Sequence, residues 1–156
     1  MNKTFQEAFN YISDLLFPGN CPVCGQAPYK DGLSYMCLEC EEKLAWIYKN
    51  GCKYCGIPMS GFDFDGLTCS ACREDPPHFV KGRSMFLLDQ NGKKVIHEMK
   101  YNGVKDVLKD MPSWLKRIPA FREFLNDSIL IPVPLHNKRF KKRGFNQSLW
   151  IAKAFK

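Results

Sequence analysis

The chain has 156 residues, 45% hydrophobic and 25% charged, which supplies a core and argues against wholesale disorder. No apolar run reaches the roughly eighteen residues that a spanning helix needs. The net charge of +7 hides an asymmetry, because residues 1–79 carry −4 and residues 80–156 carry +11, so an anionic partner is expected at the second half.

In chain order, MNKTFQEAFNYISDLLF (residues 1–17) sets Phe5, Phe9, Ile12 and Leu16 at helical spacing, with Glu7 and Asp14 interrupting the apolar run. This predicts a short amphipathic helix rather than a signal peptide. Without an export signal the expected compartment is a reducing cytoplasm, where eight cysteines are metal ligands sooner than four disulfides.

Those cysteines fall in four CxxC pairs: Cys21 and Cys24, Cys37 and Cys40, Cys52 and Cys55, Cys69 and Cys72. A two-residue gap lets both sulfurs of a tight turn face one ion, and four thiolates complete the tetrahedral shell of structural zinc. Gly25 and Gly56 follow the first and third pairs, and no glycine follows the second and fourth. Cys21 to Cys52 is 31 residues and Cys37 to Cys69 is 32, so the pattern is an internal repeat of a glycine knuckle and a plain one. Two Zn²⁺ ions are expected. The simplest pairing is sequential, although a cross-braced arrangement, with the first and third pairs sharing an ion, also fits the spacing. Eight thiolates and two Zn²⁺ would leave residues 1–79 strongly anionic, and a structural role is the expected one. Between the units, CEEKLAWIYKNG predicts a short helix with Leu44, Ile47 and Tyr48 packed, and Asp63 and Asp65 lie in a glycine-flanked turn.

After Asp75, Pro76 and Pro77, a strand is predicted near Arg83 to Leu88, ending at an Asn91–Gly92 turn. KKVIHEMKY predicts a helix that packs Val95, Ile96 and Met99 and turns His97 and Lys100 elsewhere. A second helical stretch, broken or kinked at Pro112 and Pro119, offers Val107, Leu108, Met111, Trp114, Leu115 and Ile118 to the core. SILIPVPL, Ser128 to Leu135, predicts a strand buried on both faces, with Pro132 and Pro134 at its carboxyl end. The order strand, helix, strand, loop, helix opens a doubly wound α/β fold, whose ligands sit beyond the carboxyl ends of the strands. The loop HNKRFKKRGFNQ (residues 136–147) falls there. Arg139 and Arg143 offer forked donors to phosphate, Lys138, Lys141 and Lys142 add positive potential, and Gly144 permits a turn into the next helix. Phe140 and Phe145 offer stacking faces suited to nucleic acid. No residue is a convincing catalyst: His78, His97 and His136 lack an evident nucleophile or carboxylate partner.

LLFPGNCPVCG (Leu15 to Gly25), the later CxxC pairs, MKYNG (Met99 to Gly103) and above all IPVPLHNKRFKKRGFNQS (Ile131 to Ser148) resemble the ComF family of bacterial competence and GntX-like proteins. The resemblance runs over essentially the whole chain. It implies a double zinc ribbon (residues 18–77) followed by the first part of a type I phosphoribosyltransferase-like, Rossmann-like domain (residues 78–156). It also makes Arg139, Arg143, Gly144, Phe145, Asn146 and Gln147 candidates for the ligand-binding end of the sheet. Competence members act on transforming single-stranded DNA at the inner face of the membrane, which implies partners such as a helicase. The family's DD-x-x-TTG-[AS]-T stretch, which binds the ribose and 5-phosphate of phosphoribosyl pyrophosphate, does not occur before Lys156. The expectation is therefore an incomplete domain, truncated or completed by a second polypeptide, with Mg²⁺ chemistry reserved for the complete form and no transferase activity in this chain.

Overall fold

The computed structural model of the protein describes residues 20–26, 35–49, 51–59 and 67–155. The expected helix over residues 1–17 and the turn holding Asp63 and Asp65 lie outside them. Two short helices, α1 (Leu38–Glu42) and α2 (Ser70–Glu74), each begin at the second knuckle of a cysteine repeat. Then come α3 (Gln90–His97), a π-turn (Glu98–Asn102), a 3₁₀ turn (Asp106–Asp110), α4 (Met111–Arg117) and α5 (Pro119–Leu125), followed by α6 (Asn137–Arg143) and α7 (Gln147–Ala154).

Local chemistry accounts for these boundaries. Asp89 caps α3 by accepting from the Gly92 amide at 2.8 Å, so Asn91 and Gly92 sit in the first turn of a helix and not in the turn their sequence predicts. Pro112 and Pro119 also fall in first turns, where a missing N–H is harmless; the break lies at Ile118 between α4 and α5. The expected helix after Cys40 stops at Glu42. Ala45 to Ile47 runs extended, and Ile47 N–H donates to Met85 O while Leu87 N–H donates to Ala45 O, both at 2.9 Å. Leu44 and Ile47 are buried as expected; Tyr48 is exposed, a correction that follows from the loss of the helix.

One apolar core joins the halves. Cys21, Met36, Cys37, Cys40 and Leu44 pack in the same cluster as Met85, Val95, Met99, Val107, Leu108, Met111, Trp114 and Ile118. Trp46, Phe86 and Trp114 meet edge-on with ring centroids 5.6–6.1 Å apart, the arrangement that aromatic quadrupoles favour. Arg117 closes this corner, with its guanidinium 5.4 Å from the Trp46 ring and 3.2 Å from the Glu41 carboxylate.

The α/β layering expected of the second half is not present among the described residues. Of the strand predicted at Arg83 to Leu88, a single antiparallel bridge between Trp46 and Phe86 forms. Ser128 to Leu135 is extended, but no strand lies beside it among the described residues, so it is not the buried strand its composition predicts. Ile129, Ile131 and Val133 are 89%, 82% and 72% exposed, whereas Leu130, at 37%, and Pro132 are less so, and residues of both sets line recesses against α7. This period of two is strand-like geometry without a sheet. The predicted loop at residues 136–147 is also corrected, because its lysines and arginines form α6. Lys and Arg are good helix formers, His136 accepts from the Lys138 amide at the start, and Gly144 stops the helix at a left-handed φ of 77°.

Candidate functional site: two four-cysteine centres and a basic cleft

The two halves of the cysteine repeat build the same knuckles. Gly25 N–H donates to Cys21 O at 2.8 Å and Gly56 N–H to Cys52 O at 2.9 Å, and both glycines take positive φ, 75° and 72°, which side chains rarely tolerate. The plain knuckles need no glycine because Cys37 and Cys69 are N-caps: the chain runs on into α1 and α2 rather than reversing. The sulfurs of Cys21, Cys24, Cys37 and Cys40 lie within 4.8 Å of one another, as do those of Cys52, Cys55, Cys69 and Cys72. The pairing is therefore sequential. Zn–S bonds of about 2.3 Å place tetrahedral sulfurs about 3.8 Å apart. Cys24 and Cys37 stand at 3.7 Å, and Cys55 and Cys69 at 3.8 Å.

Electrostatics favour a cation at both centres. Burial pushes the Cys37, Cys40 and Cys55 thiols up, and it pushes Cys72 up to about 12, helped by neighbouring sulfurs. Burial also opposes ionisation of Cys52, but backbone N–H groups of Cys69, Cys55 and Tyr54 overcome it and bring that thiol down to about 6. Cys21 is lowered in the same way, with burial outweighed by the amides of Cys24, Cys37 and Val23. Each centre thus holds one sulfur whose ionisation the backbone favours beside two, Cys37 and Cys40 or Cys55 and Cys72, that resist it, an opposition that a divalent cation removes. Donor type, number and spacing assign two structural zinc ions, one per centre.

The first centre is fastened to the helical half by a carboxylate. Asp110, 2% exposed, accepts from the Tyr35 amide at 2.9 and 3.0 Å and from the Met36 amide at 2.9 Å, immediately before Cys37. Sequence reasoning passed over this residue. The signal was a lone acid at position 110 on the apolar stripe formed by positions 107, 111, 114 and 118.

The predicted basic residues divide by helix face. Arg139, Lys142 and Arg143, spaced three and four apart, line one cleft of about 380 Å³ together with Lys100 and Tyr101. Lys138 and Lys141 are exposed and do not line it. No carboxylate lines this cleft among the described residues. The Arg143 guanidinium lies 4.9 Å from the Tyr101 ring centroid, and its Nη1 donates to Gln147 Oε1 at 3.0 Å. Phe145 stacks on Trp150 at 4.0 Å and abuts Gly103, whose φ of 68° ends the π-turn. MKYNG and RGFNQ, some forty residues apart in sequence, therefore meet in space.

Asn146 serves the scaffold. Its Nδ2 donates to Val133 O at 3.0 Å and its Oδ1 accepts from the Ser148 amide at 2.9 Å, capping α7. Gln147 orients Arg143, and Gly144 ends α6. Lys100 and Tyr101 are the additions the structure makes to the cleft. Their signal was the helical period, which turned Lys100 away from the face of Val95 and Met99.

Residues 12–73 match the double zinc ribbon domain family. The chain is 26% identical over 127 residues to the competence protein ComFC of Bacillus subtilis (strain 168), a match covering 75% of this chain and 50% of that protein. The chain thus spans about half the length of this relative. No solved structure matches. Among the described residues no helix is long and apolar enough to cross a membrane. Two four-cysteine centres in a double zinc ribbon, followed by a helical segment that continues the likeness to ComFC, support assignment of this chain to the ComF family.

Proposed function

We propose that the protein acts in the uptake or processing of transforming single-stranded DNA, with Lys100, Arg139, Lys142 and Arg143 holding its phosphates. The observation that carries this reading is the convergence of these four cations, from two motifs, on one cleft that no carboxylate lines among the described residues. The likeness to a competence protein supports it. Lys138 and Lys141, exposed on the other side of α6, widen the positive field. The zinc centres fold and position and do not touch the reaction. The setting is the cytoplasm or the inner face of the membrane, beside competence-machinery proteins such as a helicase.

The test is a salt titration of single-stranded DNA affinity with zinc-loaded protein. Each phosphate contact contributes about 0.7 to the slope of log affinity against log salt for single strands. Arg139→Ala and Arg143→Ala together therefore flatten the slope by about 1.4. An unchanged slope removes DNA from this cleft.

A second reading is a phosphoribosyltransferase-like domain binding phosphoribosyl pyrophosphate. It is favoured by the segment Ser128 to Leu135, whose exposure alternates over Ile129 to Val133 and which leads into the basic helix as a sheet strand leads into a phosphate-binding segment. Calorimetry with phosphoribosyl pyrophosphate and Mg²⁺ separates the two: saturable binding that persists at a salt concentration abolishing DNA binding favours this reading.

A further inference from the structure

Beside the phosphate cleft lies a second, larger recess of about 600 Å³, walled by Leu88, Ile96, His97 and Tyr101 and rimmed by Lys93 and Lys100. Lys100 and Tyr101 belong to both recesses, so the two adjoin. We infer that this recess receives a nucleobase, so that the proposed ligand is read as a nucleotide, base beside phosphate, and not as a phosphorylated sugar alone.

The inference rests on the phosphate reading above and adds an independent observation. His97 and Tyr101 stand one helical turn apart with ring centroids 4.7 Å apart, and both are exposed. Leu88, on the chain segment entering α3, is exposed beside them. An apolar and aromatic surface left open to solvent is a binding surface more often than an ornament, and aromatic faces in a positively charged groove are how sequence-tolerant proteins hold single strands. The π-turn at Glu98–Asn102 carries Tyr101 into this position, and single π-turns are frequent where function requires a departure from helix.

Charge selects the occupant. Lys93 and Lys100 form no ion pair among the described residues, which leaves their ammonium groups to an external anion. Lys94, also at the rim, lies 3.5 Å from Val23 O. One carboxylate, Glu98, also lines the recess; it is engaged within the turn, where it accepts from Asn102 Nδ2 at 2.6 Å and lies 3.6 Å from His97 Nδ1. A ligand that fills the recess must be apolar and flat in its middle and anionic on its flanks. A nucleotide has this form. An acidic peptide offers the charge but no planar face for Tyr101.

The experiment compares an oligothymidylate with an abasic oligomer of the same length, by fluorescence anisotropy on the full zinc-loaded chain. The two carry the same phosphates, so their affinity ratio reports the base alone. The expected ratio is at least about tenfold in favour of the thymidylate. Tyr101→Leu and, separately, His97→Ala reduce it towards one, while Arg139→Ala weakens both oligomers alike and preserves it. Because the ratio is taken within each variant, a displaced Arg143 does not imitate this pattern, and circular dichroism of each variant, unchanged from the unaltered protein, sets aside a general loss of fold. Equal affinity for the two oligomers in the unaltered protein overturns this inference and leaves the phosphate reading intact. A ratio unmoved by both Tyr101→Leu and His97→Ala places the base elsewhere and also overturns it. Binding of neither oligomer overturns both readings. A polyglutamate peptide that displaces the thymidylate and loses affinity on Tyr101→Leu reassigns the recess to an acidic peptide.

Discussion

Replacing Asp110 by alanine tests whether the first zinc centre and the helical half form one cooperative unit. The carboxylate is almost fully buried and serves the amides of two consecutive residues, Tyr35 and Met36, in the segment that delivers Cys37. Alanine leaves both N–H groups without this acceptor, and each such loss costs about 1–3 kcal/mol. The sum, about 4 kcal/mol, is a large share of the roughly 5–15 kcal/mol that holds a domain together. For a chain of this size it lowers Tm by about 8–16 °C. Asparagine keeps one acceptor oxygen, so Asp110→Asn should lose about half as much. The assay is thermal and urea unfolding of zinc-loaded protein by circular dichroism, with zinc release to a chelating dye measured in parallel. Asp110→Ala should release one of its two zinc ions faster than the other. A loss below about 1 kcal/mol, or equal release from both centres, refutes the view that Asp110 couples the first centre to the core.

Asn146→Ala removes the cap of α7 and the bond to Val133 O, and should cost about 1 kcal/mol in urea unfolding; lost DNA affinity at unchanged stability would instead make Asn146 a ligand contact. Trp114→Ala opens a void beneath Trp46 and Phe86 and should cost about 3–5 kcal/mol by the same measurement. Cys40→Ser should reduce helical ellipticity and DNA affinity more than Cys69→Ser, because Cys40 lies in the common core and Cys69 does not; equal losses would contradict that division. Chelation at neutral pH should release about two zinc per chain, and acidification should release them without chelator because the ligands are thiolates.

The metal centres were legible almost in full because their information is local. Cysteine spacing sets sulfur geometry, and a glycine after a knuckle reports a positive φ directly. Pairing was left open by spacing and settled by which sulfurs the fold brings within 4.8 Å of one another. The core residues of the second half were equally legible, since Val95, Met99, Val107, Met111 and Trp114 obey the helical period. What failed was strand against helix. An apolar run such as Ile129 to Val133 states only that it suits a sheet; whether it is buried depends on neighbouring strands that local pattern cannot supply. The basic segment reads as a loop because Pro132 and Pro134 end the apolar run before it. Its own residues, Lys, Arg and a terminal glycine, spell a short helix. That difference matters for the cleft, because only on a helix do Arg139, Lys142 and Arg143 share a face from which Lys138 and Lys141 are excluded.

The electrostatic division of the chain looks at first like two independent parts, an anionic metal module and a cationic ligand module. Packing argues otherwise. Met99 is buried in the core that contains Cys21, Cys37 and Cys40, and the next two residues, Lys100 and Tyr101, line the cleft. Tyr101 in turn seats Arg143, and Gly103 seats Phe145, so the basic helix takes its position from the turn that the metal-containing core supports. The first four-cysteine centre therefore supports the cationic surface through packing and not through a contact with it. A Zn²⁺ bound by four thiolates carries a local charge of −2, so on the proposed DNA reading phosphate is held to the lysine and arginine face and not to the metal centre. None of the second centre's four cysteines lies in the common core, which its neighbouring segment reaches through the bond from Ile47 N–H to Met85 O, so loss of that centre should disturb the cationic face less than loss of the first.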